Sequence, residues 1–135
     1  APLQGVPCLN DGVAQDVSGN RVPAQQDLSY NIAITKTFLT GSGSVDIRLS
    51  RKYRGESYMD IWNNDRAELP ESHNGDLLVS YRPNDGDWYV NGFVKNLDDS
   101  RDLIYLRAGS NFQGGNLYGS ITEPRTFGLM FGTKF

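Results

Sequence analysis

The chain has 135 residues, enough for one domain of ordinary size, yet only 38% of them are hydrophobic while Gly reaches 15 and aromatics 11%. That mix suits short turns and half-apolar strands better than helices around a thick core. A net charge of −3 gives no bulk attraction to nucleic acid; the single Cys8 excludes an internal disulfide framework and a Cys-rich zinc site, and the single His73 leaves little material for His-based metal clusters or Ser-His-Asp chemistry.

No stretch holds a 3.6-residue period; period-2 stretches recur, separated by turn-rich segments. No apolar run has the length of a transmembrane helix. Transmembrane strands stay open as a reading, because they alternate and score weakly on hydropathy. The sequence opens on Ala1 with no signal-peptide pattern, as expected of a mature chain or of a piece of a longer one.

Residues 1–26, rich in Gly, Pro, Asn, Asp and Gln, read as a loop, or as a loop carrying the stub of an earlier strand. "DLSYNIAITKTF" is the first predicted strand: Leu28, Tyr30, Ile32, Ile34 and Phe38 share one face, with Lys36 as a charged exception whose stem can snorkel. After the short turn "LTGSGS", "SVDIRLSRKY" sets Val45, Ile47, Leu49 and Tyr53 against Ser44, Asp46, Arg48, Ser50 and Lys52. Residues 54–74 read as a long polar loop. "GDLLVSYR" is a third strand, with Leu77, Val79 and Tyr81 opposite Asp76, Ser80 and Arg82, and "PNDGD" carries strong turn chemistry. "WYVNGFVKNL" is a fourth strand. Residues 98 to about 121 form another long connection, extended at "LIYL", and "EPRTFGLMFGTKF" closes the chain on alternating Phe127, Leu129, Phe131 and a final Phe135.

The expected fold is therefore all-β, an antiparallel meander of about five strands across residues 1–135. Its connections alternate long and short, so short turns collect at one end and long loops at the other, as in outer-membrane barrels. Tyr30, Phe38, Tyr53, Tyr81, Trp88 and Phe135 fall near strand ends, where interfacial aromatic girdles sit. An antiparallel sheet with one solvated face alternates in the same way.

Several clusters invite a chemical reading. Asp60, Asn63, Asn64 and Asp65 offer hard oxygens for a cation such as calcium, but their spacing fits a solvated loop better. Asn84 to Asp87 is a hairpin signal before it is a calcium loop, and "GSGS" lacks the following helix of a phosphate site. Arg48, Arg51, Lys52 and Arg54 form a basic patch, readable as charges balanced inside a barrel or as contacts with an anionic ligand or lipopolysaccharide. Tyr58, Trp62, Phe112 and Tyr118 sit in long loops, placed either to stack on a ligand or to pack the loops. Glu56, Asp60, Glu68 and Glu71 supply carboxylates without any spacing that defines a glycosidase pair. His73 reads as a surface residue, and Cys8 has no partner in the chain.

Three stretches resemble a known family. "EPRTFGLMFGTKF" is similar to the closing strand of TonB-dependent outer-membrane receptors, "DWYVNGFVKNLDD" to their penultimate strand, and "VSGNRVPAQQDLSYNIAI" to a loop-to-strand entry a few strands earlier. The resemblance implies the C-terminal strands of a plugged transmembrane barrel of about 22 strands, without the plug or the earlier strands. It implies a bacterial outer-membrane location and no catalysis or cofactor. The function implied is uptake of a scarce ligand, an iron-siderophore complex first, cobalamin or a glycan otherwise. Residues 1–26, 54–74 and 98 to about 121 become extracellular loops in which Tyr58, Trp62, Phe112 and Tyr118 meet ligand. Asp46, Arg48, Lys52, Asp76 and Arg82 become lumen-facing. Phe127, Leu129 and Phe131 meet lipid, and Phe135 serves recognition by the barrel assembly machinery. The implied partners are lipid and lipopolysaccharide, the small ligand, and the energy-coupling TonB complex reached through the absent N-terminal parts. Two other readings remain: a soluble all-β ligand- or carbohydrate-binding module that buries the same apolar residues between two sheets, and a complete small barrel, which needs about eight strands.

Overall fold

The structure, a computed structural model, describes residues 16–108 and 116–133. Cys8, Phe112 and Phe135 lie outside these residues. The frame is one five-stranded antiparallel meander of β1 (Ser29–Thr40), β2 (Gly43–Arg54), β5 (Ser72–Pro83), β6 (Trp88–Lys95) and β9 (Thr126–Thr133), side by side in that order. The β2–β5 connection holds two short paired strands, β3 (Ser57–Tyr58) and β4 (Glu68–Leu69), around a 3-10 turn at Asp65–Ala67. The β6–β9 connection holds a hairpin of β7 (Leu103–Ala108) and β8 (Leu117–Ile121). Among the described residues no helix is long and apolar enough to cross a membrane.

Pairing register turns the period-2 pattern of each strand into continuous rows. Ile34 faces Leu49, Leu49 faces Leu77, Leu77 faces Val94, and Val94 faces Phe127. The row below runs Lys36, Ile47, Val79, Gly92 and Leu129. A one-residue slip in any strand would move its apolar set to the other side, so the shared hydrophobic face pins the register. The opposite face is polar over β1, β2 and most of β5. On β9 it carries glycines instead, because Phe93 and Tyr89 of β6 lie across their cross-strand partners Gly128 and Gly132. A Cβ at Gly128 would come within 2.6 Å of the Phe93 ring, so the alternating glycines of "TFGLMFGT" make room for aromatics of the neighbouring strand.

The turns are minimal. Thr40 pairs with Gly43, leaving Gly41 and Ser42 as a two-residue hairpin loop. Asn84 of the next turn donates to it twice, from its backbone N–H to Ser42 O (3.0 Å) and from Nδ2 to Gly41 O (3.1 Å).

Two expectations are corrected. The third strand starts at Ser72 rather than Gly75, so the preceding connection shrinks from 54–74 to 55–71. Ser72, His73 and Asn74 pair with Arg54, Tyr53 and Lys52, and this pairing extends the strand where hydrophobicity gives no signal. The basic patch is also split: Arg48, Lys52 and Arg54 share the polar face, while Arg51 lies on the apolar side and reaches over Gly75 to Asp98 at 2.6 Å.

The sheet encloses no core. Among the described residues the buried hydrophobic side chains are Ala67, Leu69 and Leu106, all in the long connections. By contrast Phe127 is 80% exposed, Leu129 83% and Phe131 68%. The molecule presents 10077 Å² of surface, against about 7000 Å² for a compact monomer of this mass.

Candidate functional site

A groove of about 1050 Å³ opens at the long-loop end of the polar face, at the upper end of the usual range for small-molecule sites. Two cross-strand rows floor it. Asn31 faces Lys52, which faces Asn74; Ser29 faces Arg54, which faces Ser72. Asp76 and Lys95 extend the floor, and Ile104 and Ile121 of the β7–β8 hairpin form an apolar wall. Cations, amides and hydroxyls thus line one concave surface beside an aliphatic patch. Such a surface can bind a polar ligand by charge and hydrogen bonds.

The hairpin stands where it does because of Asn96, buried and held at φ +53°. An Asn tolerates this left-handed conformation better than most residues. Its Nδ2 donates to Ser100 O (3.0 Å) and Glu123 O (2.8 Å), and its Oδ1 accepts from Ser100 N–H (3.1 Å). One side chain therefore closes both ends of the excursion. Thr122 Oγ1 adds a bond to Ser100 O at 2.8 Å, and Arg54 Nη2 reaches Leu103 O at 2.7 Å.

A second network joins the segment before β1 to the β2–β5 connection. Asn63 accepts from the Arg21 N–H and donates from Nδ2 to Arg21 O at 3.1 Å. Arg21 also pairs with Glu56 and Asp27, each at 2.9 Å. The hydrogen bond that Arg21 donates to Glu56, then the charge of Asp27, raises the Arg21 pKa above its ordinary value. Asp60 Oδ1 accepts from the backbone N–H of Trp62 (3.1 Å) and Asn64 (3.3 Å), so the "DIWNND" oxygens organise their own loop. No group of three or more His, Cys, Asp or Glu suited to a metal occurs among the described residues.

Of the residues singled out from sequence, Tyr30, Lys52, Tyr53, Arg54 and Asp76 line the groove. Asp46, Arg48 and Arg82 share that face nearer the short turns, where Asp46 pairs with Arg82 (2.7 Å) and accepts from Thr37 Oγ1 (2.6 Å). Tyr58 and Trp62 are half-buried in the β2–β5 connection, and Tyr118 lies exposed on the hairpin; none of the three lines the groove. Asn31, Asn74, Lys95 and Asn96 went unnoticed as a set. Only register brings them together, although small polar residues on the polar face near the long-loop ends were a usable signal.

No protein-family model, no curated protein and no solved structure matches this chain.

Proposed function

We propose that this sheet is a stretch of the wall of a TonB-dependent outer-membrane receptor, with the apolar face toward lipid, and that the groove takes part in capturing a small ligand for uptake. One observation carries the reading: the apolar face is uncovered and bracketed by aromatics at both ends. Tyr30 stacks on Tyr53 at 5.2 Å and Tyr53 meets His73 at 5.1 Å at the long-loop end. Tyr81, Trp88 and Phe131 make the matching row near the short turns, at 5.7 and 6.1 Å. From Tyr53 to Val45, the partner of Tyr81, the strand runs about 27 Å at ~3.4 Å per residue. A strand tilt of ~40° makes that about 20 Å of height, close to the apolar band of outer-membrane barrels.

Magnitudes favour lipid over water. Ile32, Ile34, Phe38, Ile47, Leu49, Phe127, Leu129 and Phe131 are all exposed. At about 1.5–3 kcal/mol for each such side chain removed from water, the uncovered face amounts to on the order of 10 kcal/mol, as large as the whole stability of a typical domain. Among the described residues β1 and β9 form the two edges of the sheet. Open edges are prohibitive in hydrocarbon, so the reading requires further strands to close the barrel.

The competing reading, a soluble module, requires a second layer over the same face. Quenching of Trp88 by acyl-chain bromines decides between them. In a closed barrel that carries Trp88 as its one tryptophan, reconstituted with brominated lipid, strong quenching is expected. A well-folded monomer in plain buffer, unquenched by such lipid, would sink the membrane reading.

A further inference from the structure

The aromatic row at the long-loop end of the apolar face carries, beside its rings, a pair of metal-binding donors that the barrel reading does not use. Glu71 and His73 lie two residues apart, and His73 pairs directly with Tyr53 on the neighbouring strand. Tyr53 organises both: its ring meets the imidazole at 5.1 Å, and its OH donates to Glu71 Oε2 at 2.9 Å. The other carboxylate oxygen, Oε1, stands 3.9 Å from His73 Nε2. That gap is too long for a hydrogen bond. Closing it by about 0.5–0.9 Å, within reach of two half-exposed side chains, gives the separation of adjacent donors on one ion at about 2.0–2.2 Å. Asp102 fixes the strand locally by accepting from the His73 backbone N–H at 3.3 Å.

We propose that Glu71 and His73 bind a divalent first-row transition-metal ion at this rim, with Tyr53 as the positioning residue. Imidazole nitrogen plus one carboxylate oxygen suits copper(II) or zinc(II), and copper(II) binds such donors most tightly. Both side chains are about half exposed or more (48% and 60%), so water completes the coordination and the ion exchanges readily. The Tyr53 hydroxyl acts as an outer-sphere partner, holding one carboxylate oxygen so that the other stays turned toward the imidazole. The site is formed by β2, β5 and the residue before β5 and needs no lipid contact, so it stands apart from the membrane reading.

The test is a copper(II) titration of the detergent-solubilised 135-residue chain, read by pulsed electron paramagnetic resonance. His73 is the only histidine, so any imidazole-nitrogen modulation reports this site. The expected result is one imidazole ligand, abolished by His73→Ala, with affinity lowered at least tenfold by Glu71→Gln. Tyr53→Phe keeps the ring and removes the hydroxyl; it should retain the imidazole signal while weakening binding about tenfold. An absent imidazole signal in the unaltered chain, or equal affinity in Glu71→Gln, overturns the proposal.

Discussion

The five-stranded sheet and the long connections above it solve opposite problems. The sheet carries most of the large apolar side chains and buries almost none; the connections are polar in composition yet hold Ala67, Leu69 and Leu106, the buried hydrophobic residues among those described. The connections are held like an ordinary water-facing unit, by a small core and by side-chain bonds from Asn63, Arg21 and Asn96. The sheet is held by register and by ring-over-glycine packing. The contrast is the one the proposed membrane reading predicts, with water around the connections and an apolar medium against the sheet.

Substitutions that act on one region alone break or sharpen this contrast. The largest effect is expected from Leu129→Arg on the apolar face, about 2–4 kcal/mol of lost stability if the side chain sits near a bilayer midplane. Denaturant titration in vesicles measures it; an unchanged midpoint would place the face in water. Next comes Leu69→Ala, about 2–3 kcal/mol for emptying a buried leucine site. Hydrogen exchange should speed up in β3, β4 and β7 and stay unchanged in β1 and β2. Asn96→Ala removes the side-chain bonds to Ser100 and Glu123 and leaves a φ of +53° on a residue that resists it, about 1–3 kcal/mol. Amides of β7 and β8 should exchange faster while β5 and β6 keep their protection. Arg82→Ala breaks a half-exposed pair with Asp46 and should cost no more than about 1 kcal/mol. A larger loss in thermal unfolding would mean that the polar face is shielded from water.

Much of the sheet could be read directly. Period-2 runs mark β1, β2, β5, β6 and β9, and "PNDGD" and "LTGSGS" mark the turns, because alternation and turn chemistry are local signals. Non-local features escaped. Ser72 to Asn74 are polar, so only their pairing with β2 makes them strand. Arg51 sits among basic neighbours in sequence, but strand alternation sends it to the other face, where Gly75 leaves it a path to Asp98. The groove drew on β1, β2, β5, β6 and a hairpin anchored through Asn96 across 27 residues. Aromatics in the loops were a weaker guide: Tyr58 and Trp62 are half-buried within the β2–β5 connection.

The central claim, that one face of this sheet meets hydrocarbon, is tested most directly by a nitroxide scan of β9. In a Cys8→Ser background, single cysteines at 127, 129, 130 and 131 are spin-labelled and the protein reconstituted in vesicles; Gly128 is left unaltered because a side chain there would strike the Phe93 ring. Collision rates with oxygen, which concentrates in the bilayer interior, should be high at 127, 129 and 131 and low at 130. A flat profile, or high exposure of 127, 129 and 131 to a water-soluble nickel reagent, would contradict the account.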